Sequence, residues 1–177
     1  MDPDSLLGPA APGPEDPLGL WAACHRRMLE NVATLERLTD HLRLTGVDDQ
    51  AAAAAARVRR YFNEAAPRHH ADEEEDLFPR LRAAWPEDGE LLAELEALAA
   101  AHRQLDEAWA VLDPALASLA EGQSAALEPA DYVAAIRDHV AREDEVIAPR
   151  LHATLTLTDL REAGRAMAAR RGLESPT

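Results

Sequence analysis

Leu91, Leu95, Leu98, His102, Leu105, Trp109 and Leu112 follow one another at alternating steps of four and three residues. That period keeps all seven on one face of an α-helix and makes a bundle seam. It cannot be laid along a strand, whose faces alternate every second residue. Three more segments carry helical stripes. Residues 18–44 align Leu18, Trp21, Met28, Val32, Leu35 and Leu42 and stop at Gly46; residues 51–85 run through Val58, Phe62, Leu77 and Leu81. Residues 129–153 align Tyr132, Ile136, His139, Val140, Glu143 and Val146. Proline removes an amide donor, so Pro67 is expected to kink the second helix or start a new turn, and Pro114 to bend or end the third. Four long helices with short connections predict an all-α, up-down-up-down four-helix bundle. A short fifth helix is expected from Asp159, with Glu162 placed for a capping box, to Gly172. Residues 1–17 carry five prolines and two glycines and read as an extended or disordered leader. The division expected is therefore leader 1–17, bundle 18–155, and C-terminal helix and tail 156–177.

Composition narrows the partners. A formal charge of −15 excludes the positive footprint that nucleic acid or an anionic membrane surface requires. No apolar run is long enough for a membrane span, and no basic-then-apolar signal pattern opens the chain. One cysteine, Cys24, cannot form an intramolecular disulfide. A cytoplasmic location is the expectation.

The chemistry is carried by a sentence the chain writes twice. "HHADEEEDLFPRL" begins at His69 and "HVAREDEVIAPRL" at His139. Each has histidine first, glutamate four residues on, proline ten residues on, and ends Pro-Arg-Leu. Each also has a histidine one helix earlier, His25 before His69 and His102 before His139, so the chain reads as two hairpins of the form His…His-x-x-x-Glu. At 100° per residue His69 lies about 20° from Val58 and Phe62 whereas His70 is about 80° to 120° away. His69 and Glu73 are therefore expected to face the core and His70 to flank it. His70 with Glu74 is an alternative register that Pro67 could impose. His102 is a seam position, and His139 and Glu143 fall in the stripe of the last long helix.

A single histidine on an apolar stripe is ordinarily a hydrogen-bonded core residue. Four inward histidines with two inward glutamates in one small bundle are poorly explained by packing, because a buried carboxylate is costly unless paired or bound to metal. Two metal ions account for all six, and bundle cores are a standard place for such sites. Imidazoles and bridging carboxylates suit iron, with manganese or zinc as weaker candidates. On this reading the bundle without metal would carry uncompensated charge in its core. His41 and His152 read as surface residues and Cys24 as packing. Asp72, Glu75 and Asp76 read as a solvated acidic face, one member of which is placed to orient a ligand histidine, and Asp106 as surface or a partner of His102.

The doubled motif resembles the haemerythrin-like HHE cation-binding domain over roughly residues 18–155. The resemblance implies a four-helix bundle holding a non-haem di-iron centre, oxo- or hydroxo-bridged. It implies His25, His69, Glu73, His102, His139 and Glu143 as metal ligands, with Glu73 and Glu143 as the bridges. Oxygen-carrying haemerythrins have a fifth histidine four residues before the third-helix ligand; this chain has Leu98 there. Four histidines and two glutamates are more similar to the iron–sulfur-repair di-iron proteins, whose cysteine-containing N-terminal module is missing here. The two irons are then expected to be nearly equivalent. The leading expectation is a protein that binds or reacts with a small ligand, O2, NO or peroxide. Iron donation to damaged clusters and a di-iron oxidase or detoxifying enzyme are the alternatives. Oligomeric state is not legible.

Overall fold

The computed structural model describes residues 12–173. They form five helices: α1, Pro17–Thr45; α2, residues 49–84; α3, Gly89–Ala120; α4, residues 130–154; and α5, Leu157–Arg170. The first four make an antiparallel bundle in which α1 packs on α2 and α4, and α3 closes the ring against the same two. Among the described residues there is no strand, and no helix is long and apolar enough to cross a membrane.

The ends are set by local chemistry. Asp16, Asp48 and Asp88 each accept a hydrogen bond from the free amide three residues on and so start α1, α2 and α3. α1 stops where Gly46 takes φ 84°, a conformation costly for a residue with a Cβ. The helix α5 begins earlier than the sequence pattern suggested. Thr156 is its cap, closing a reciprocal box with Asp159, whereas Glu162 reaches Arg80 at 3.2 Å. Any threonine followed three residues later by an acid can make this box. Of the Pro-rich leader, residues 1–11 lie outside the described residues, and Pro17 already stands inside α1.

Neither Pro67 nor Pro114 ends its helix. α3 continues through Pro114 to Ala120. α2 continues through Pro67 because the turn before it widens: Tyr61–Ala65 is π-helical, closed by the Ala66 amide bonding the Tyr61 carbonyl. The same turn recurs at Glu73–Leu77 before Pro79 and at Glu143–Ile147 before Pro149. Each proline is the second residue after its wide turn. A ring without an N–H would collide with the carbonyl four residues back, and one extra residue in the turn relieves that collision. The repeated proline is thus the mark of a repeated wide turn, and in both repeats the turn begins at the motif glutamate.

The core is in two apolar lobes. One joins Met28, Leu35, Val58, Phe62, Trp109, Leu116 and Ile136; the other joins Trp21, Leu77, Phe78, Leu81, Leu95, Leu98, Ile147 and Met167. Each fully buried large side chain contributes on the order of 1.5–3 kcal/mol relative to exposure. Between the lobes lies a polar layer.

Candidate metal centre

The polar layer contains His25, His69, Glu73, His102, His139 and Glu143, each no more than 2% exposed. Both glutamates stand at the start of a wide turn, and each spreads its two oxygens to opposite sides of the layer. Glu73 Oε1 lies 3.3 Å from His69 Nε2 and 3.7 Å from His25 Nε2, whereas its Oε2 lies 3.3 Å from His102 Nε2. Glu143 does the reverse: Oε2 is 3.2 Å from His25 Nε2, and Oε1 is 3.2 Å from His139 Nε2 and 3.7 Å from His102 Nε2. Two groups result, His25–His69–Glu73–Glu143 and Glu73–His102–His139–Glu143. Within each, one potential ligand atom per residue lies within 4.8 Å of the others. The glutamates belong to both.

The acid after each motif glutamate holds a histidine of the other hairpin. Glu74 Oε1 is 2.6 Å from His102 Nδ1, and Asp144 Oδ1 is 2.7 Å from His25 Nδ1. These contacts take up Nδ1 and turn Nε2 of both rings to the carboxylates, the arrangement that orients an imidazole toward a cation. Even so, Nε2 of His25, Nδ1 and Nε2 of His69, Nδ1 of His139, Glu73 Oε2 and both Glu143 oxygens are buried without a hydrogen-bond partner among the described residues. Buried polar atoms are seldom left so, and seven within one layer mark a place that protein groups alone do not satisfy.

Without an ion the imidazoles and carboxylates of the layer shift one another's titration. Burial works against the His25 imidazolium, but Glu143 and Glu73 overcome it and push the pKa up to about 10. Burial likewise opposes charge on His102, and Glu143, Glu73 and Glu74 raise it to about 10. Burial would raise both carboxylates; the surrounding imidazoles outweigh it and hold Glu73 and Glu143 below the usual range. Burial lowers His69. Imidazoles with raised pKa thus face carboxylates with lowered pKa, so the layer offers internal counterions to its own carboxylates. The sequence showed ligand types but not that the imidazoles can serve as internal counterions.

Pairing His25 with His102 and His69 with His139 gives a pseudo-twofold arrangement, and it is broken at two places. Trp21, one turn before His25, donates from Nε1 to Glu73 Oε1 at 2.6 Å, where the matching residue before His102 is Leu98. His70 is matched by Val140. The helical phase of α2 made His70 a flanking residue; it is in fact only 8% exposed and stacks on His102, ring centroids 4.0 Å apart. Burial and the neighbouring His102 push its pKa down to about 3, so it is neutral. The halves are therefore not equivalent.

Among the described residues, the sequence profile of the hemerythrin HHE cation-binding domain matches 16–151. The chain belongs to the hemerythrin HHE family. A protein of Haemophilus influenzae called only "Uncharacterized protein" is 30% identical over 159 residues, 88% of this chain and 90% of that relative. Membership makes cation binding the function of the domain, and the His/Glu groups of this HHE chain are where its structure offers donors.

The rest of the acidic stretch of this HHE domain departs from the solvated face expected. Asp72 is 1% exposed and is gripped by Arg171 at 2.6 and 3.1 Å and by Arg170 at 3.0 Å. Asp76 is also buried, with Arg170 Nη2 2.6 Å away, and only Glu74 and Glu75 stay exposed. Both arginines come from the end of α5, nearly a hundred residues away, which no local pattern discloses. Cys24 is buried and unpaired as packing predicts, and His152 and Asp106 are exposed. His41 is half-buried and bonds Asp48 at 3.0 Å.

Proposed function

We propose that this HHE domain holds two iron ions in its polar layer. His25 and His69 serve one, His102 and His139 the other, and Glu73 and Glu143 bridge them. We further propose that the centre binds or reacts with a small ligand such as O2, NO or peroxide. The observation that carries the reading is the spread of each buried carboxylate, one oxygen toward each pair of imidazoles. The donor set is nitrogen and carboxylate oxygen with no thiolate, which suits iron and leaves manganese or zinc weaker candidates. When bound, iron supplies redox chemistry and affinity for diatomic and peroxidic ligands. Two imidazoles and two shared carboxylates leave room at each ion for such a ligand.

The protein side of the task falls to particular residues. Glu74 and Asp144 fix the His102 and His25 rings, and Trp21 fixes one oxygen of Glu73. The two apolar lobes exclude bulk water from above and below. A groove of about 340 Å³ between α3 and α4, lined by Leu105, Ala108, Tyr132, Ala135 and Arg142, reaches the layer at His139. His139 is the member of the layer that lines it.

The test is elemental analysis, followed by optical spectra of the reduced protein exposed separately to O2, NO and peroxide. Two irons per chain and a new absorption band with at least one of the three are expected. One metal or none per chain, or zinc after growth with ample iron, refutes the di-iron assignment. Two irons with no response to any of the three favours iron donation instead.

A further inference from the structure

His70 is not needed by the ligand scheme above, yet the fold spends effort on it. Its ring is buried, and neither Nδ1 nor Nε2 has a hydrogen-bond partner. An imidazole kept only for packing leaves one donor and one acceptor unsatisfied, a cost that an apolar side chain of similar size avoids. The symmetry-related position shows that alternative in place: Val140 fills it. One ring nitrogen of His70 lies within 4.8 Å of ligand atoms of both His102 and His139. The ring meets His139 edge-on, centroids 5.9 Å apart.

That separation admits two roles: His70 could reach the same ion as His102 and His139, or reach something bound to that ion. Ring orientation decides between them. His70 and His102 are stacked with planes only 10° apart and centroids 4.0 Å apart. An imidazole lone pair lies in the plane of its ring. The in-plane lone pairs of two parallel stacked rings do not converge on one point, so in this orientation His70 and His102 would not share an ion. What His70 can offer is its one N–H, for which no protein acceptor is available among the described residues.

We propose that His70 is a positioning residue that donates a hydrogen bond to a small anionic or strongly polarised ligand held at the His102–His139 half of the centre. The proposal rests on the di-iron reading and deepens it: ligand binding becomes one-sided, at the half that carries His70 and faces the α3–α4 groove. Beside His25, Trp21 has its N–H committed to Glu73.

Azide is a suitable probe, being small, anionic and a hydrogen-bond acceptor. Wild type, His70→Phe and His70→Gln are loaded with iron, oxidised and titrated with azide by optical absorption, with iron counted in each. All three are expected to hold two irons. Loss of one hydrogen bond to a charged ligand should weaken azide about tenfold or more in His70→Phe, and the amide N–H of His70→Gln should recover most of it. Unchanged azide affinity in His70→Phe, or loss of an iron from it, overturns the proposal, the second result by making His70 a ligand. If neither variant folds, the wild type still decides. The bound azide stretch should shift between H2O and D2O, and the absence of a shift overturns the donor role. A wild type that takes up no iron sinks the parent reading, and that is seen before any variant is made.

Discussion

Loading the centre should expel protons, and the number follows from the metal-free layer. Glu73 and Glu143 are already ionised, so they release none. His25 and His102 are each protonated up to about pH 10 and must give up the Nε2 proton that faces the carboxylates before that nitrogen can bind a cation. At pH 8 uptake of two divalent ions should therefore release about two protons from this pair. Between the ordinary imidazole value and the raised one, from about 6.5 to about 10, the combined affinity for both ions should climb about a hundredfold per pH unit. It should flatten above that window. The assay is titration calorimetry with ferrous ion under anaerobic conditions, in buffers of different ionisation enthalpy; the slope of observed heat against buffer heat counts protons. A slope near zero at pH 8 would refute the internal-counterion account, because it would mean the imidazoles of the empty layer are neutral.

Three other outcomes are expected. The chelated protein should show the opposite pH trend: the raised imidazoles stabilise it fully below about 6.5 and progressively less up to about 10, while the depressed carboxylates help above about 4.5. Its melting temperature should thus be higher at pH 5.5 than at pH 9, and equal midpoints would count against the paired charges. Glu74→Gln and Asp144→Asn should each lower metal affinity about 10- to 100-fold while leaving the metal-free fold intact, read by competition with a chelator and by circular dichroism. Asp72→Ala should cost about 3 kcal/mol in urea unfolding, because it leaves the Arg170–Arg171 pair without the buried carboxylate both arginines grip. A loss under 1 kcal/mol would show the contact is incidental.

What could be read in the sequence was whatever has a local period. The 3.6-residue stripes disclosed four helices and their inward faces, and the doubled His-x-x-x-Glu disclosed six residues that the fold does bring together. What could not be read depends on widened turns and on distant chain. Counting 100° per residue across Pro67 cannot register the extra residue at Tyr61–Ala65, so His70 was placed at the flank when it is buried. Asp72 looked like part of a solvated face with Glu75 and Asp76 because its arginines come from α5. Glu74 looked only like a possible companion of His70, and nothing singled out Asp144, because their imidazole partners lie on the other hairpin.

That last placement has a further consequence. His25 on α1 is steadied by Asp144 on α4, and His102 on α3 by Glu74 on α2. Neither hairpin carries the brace for its own first histidine; each lends it to the other. The centre is thus divided between two halves of chain, neither of which is a smaller version of the whole. Severed in the 85–88 connection and purified apart, α1–α2 and α3–α4–α5 would each be mute toward the metal, and complementation would restore a site only when the two fragments are mixed one to one.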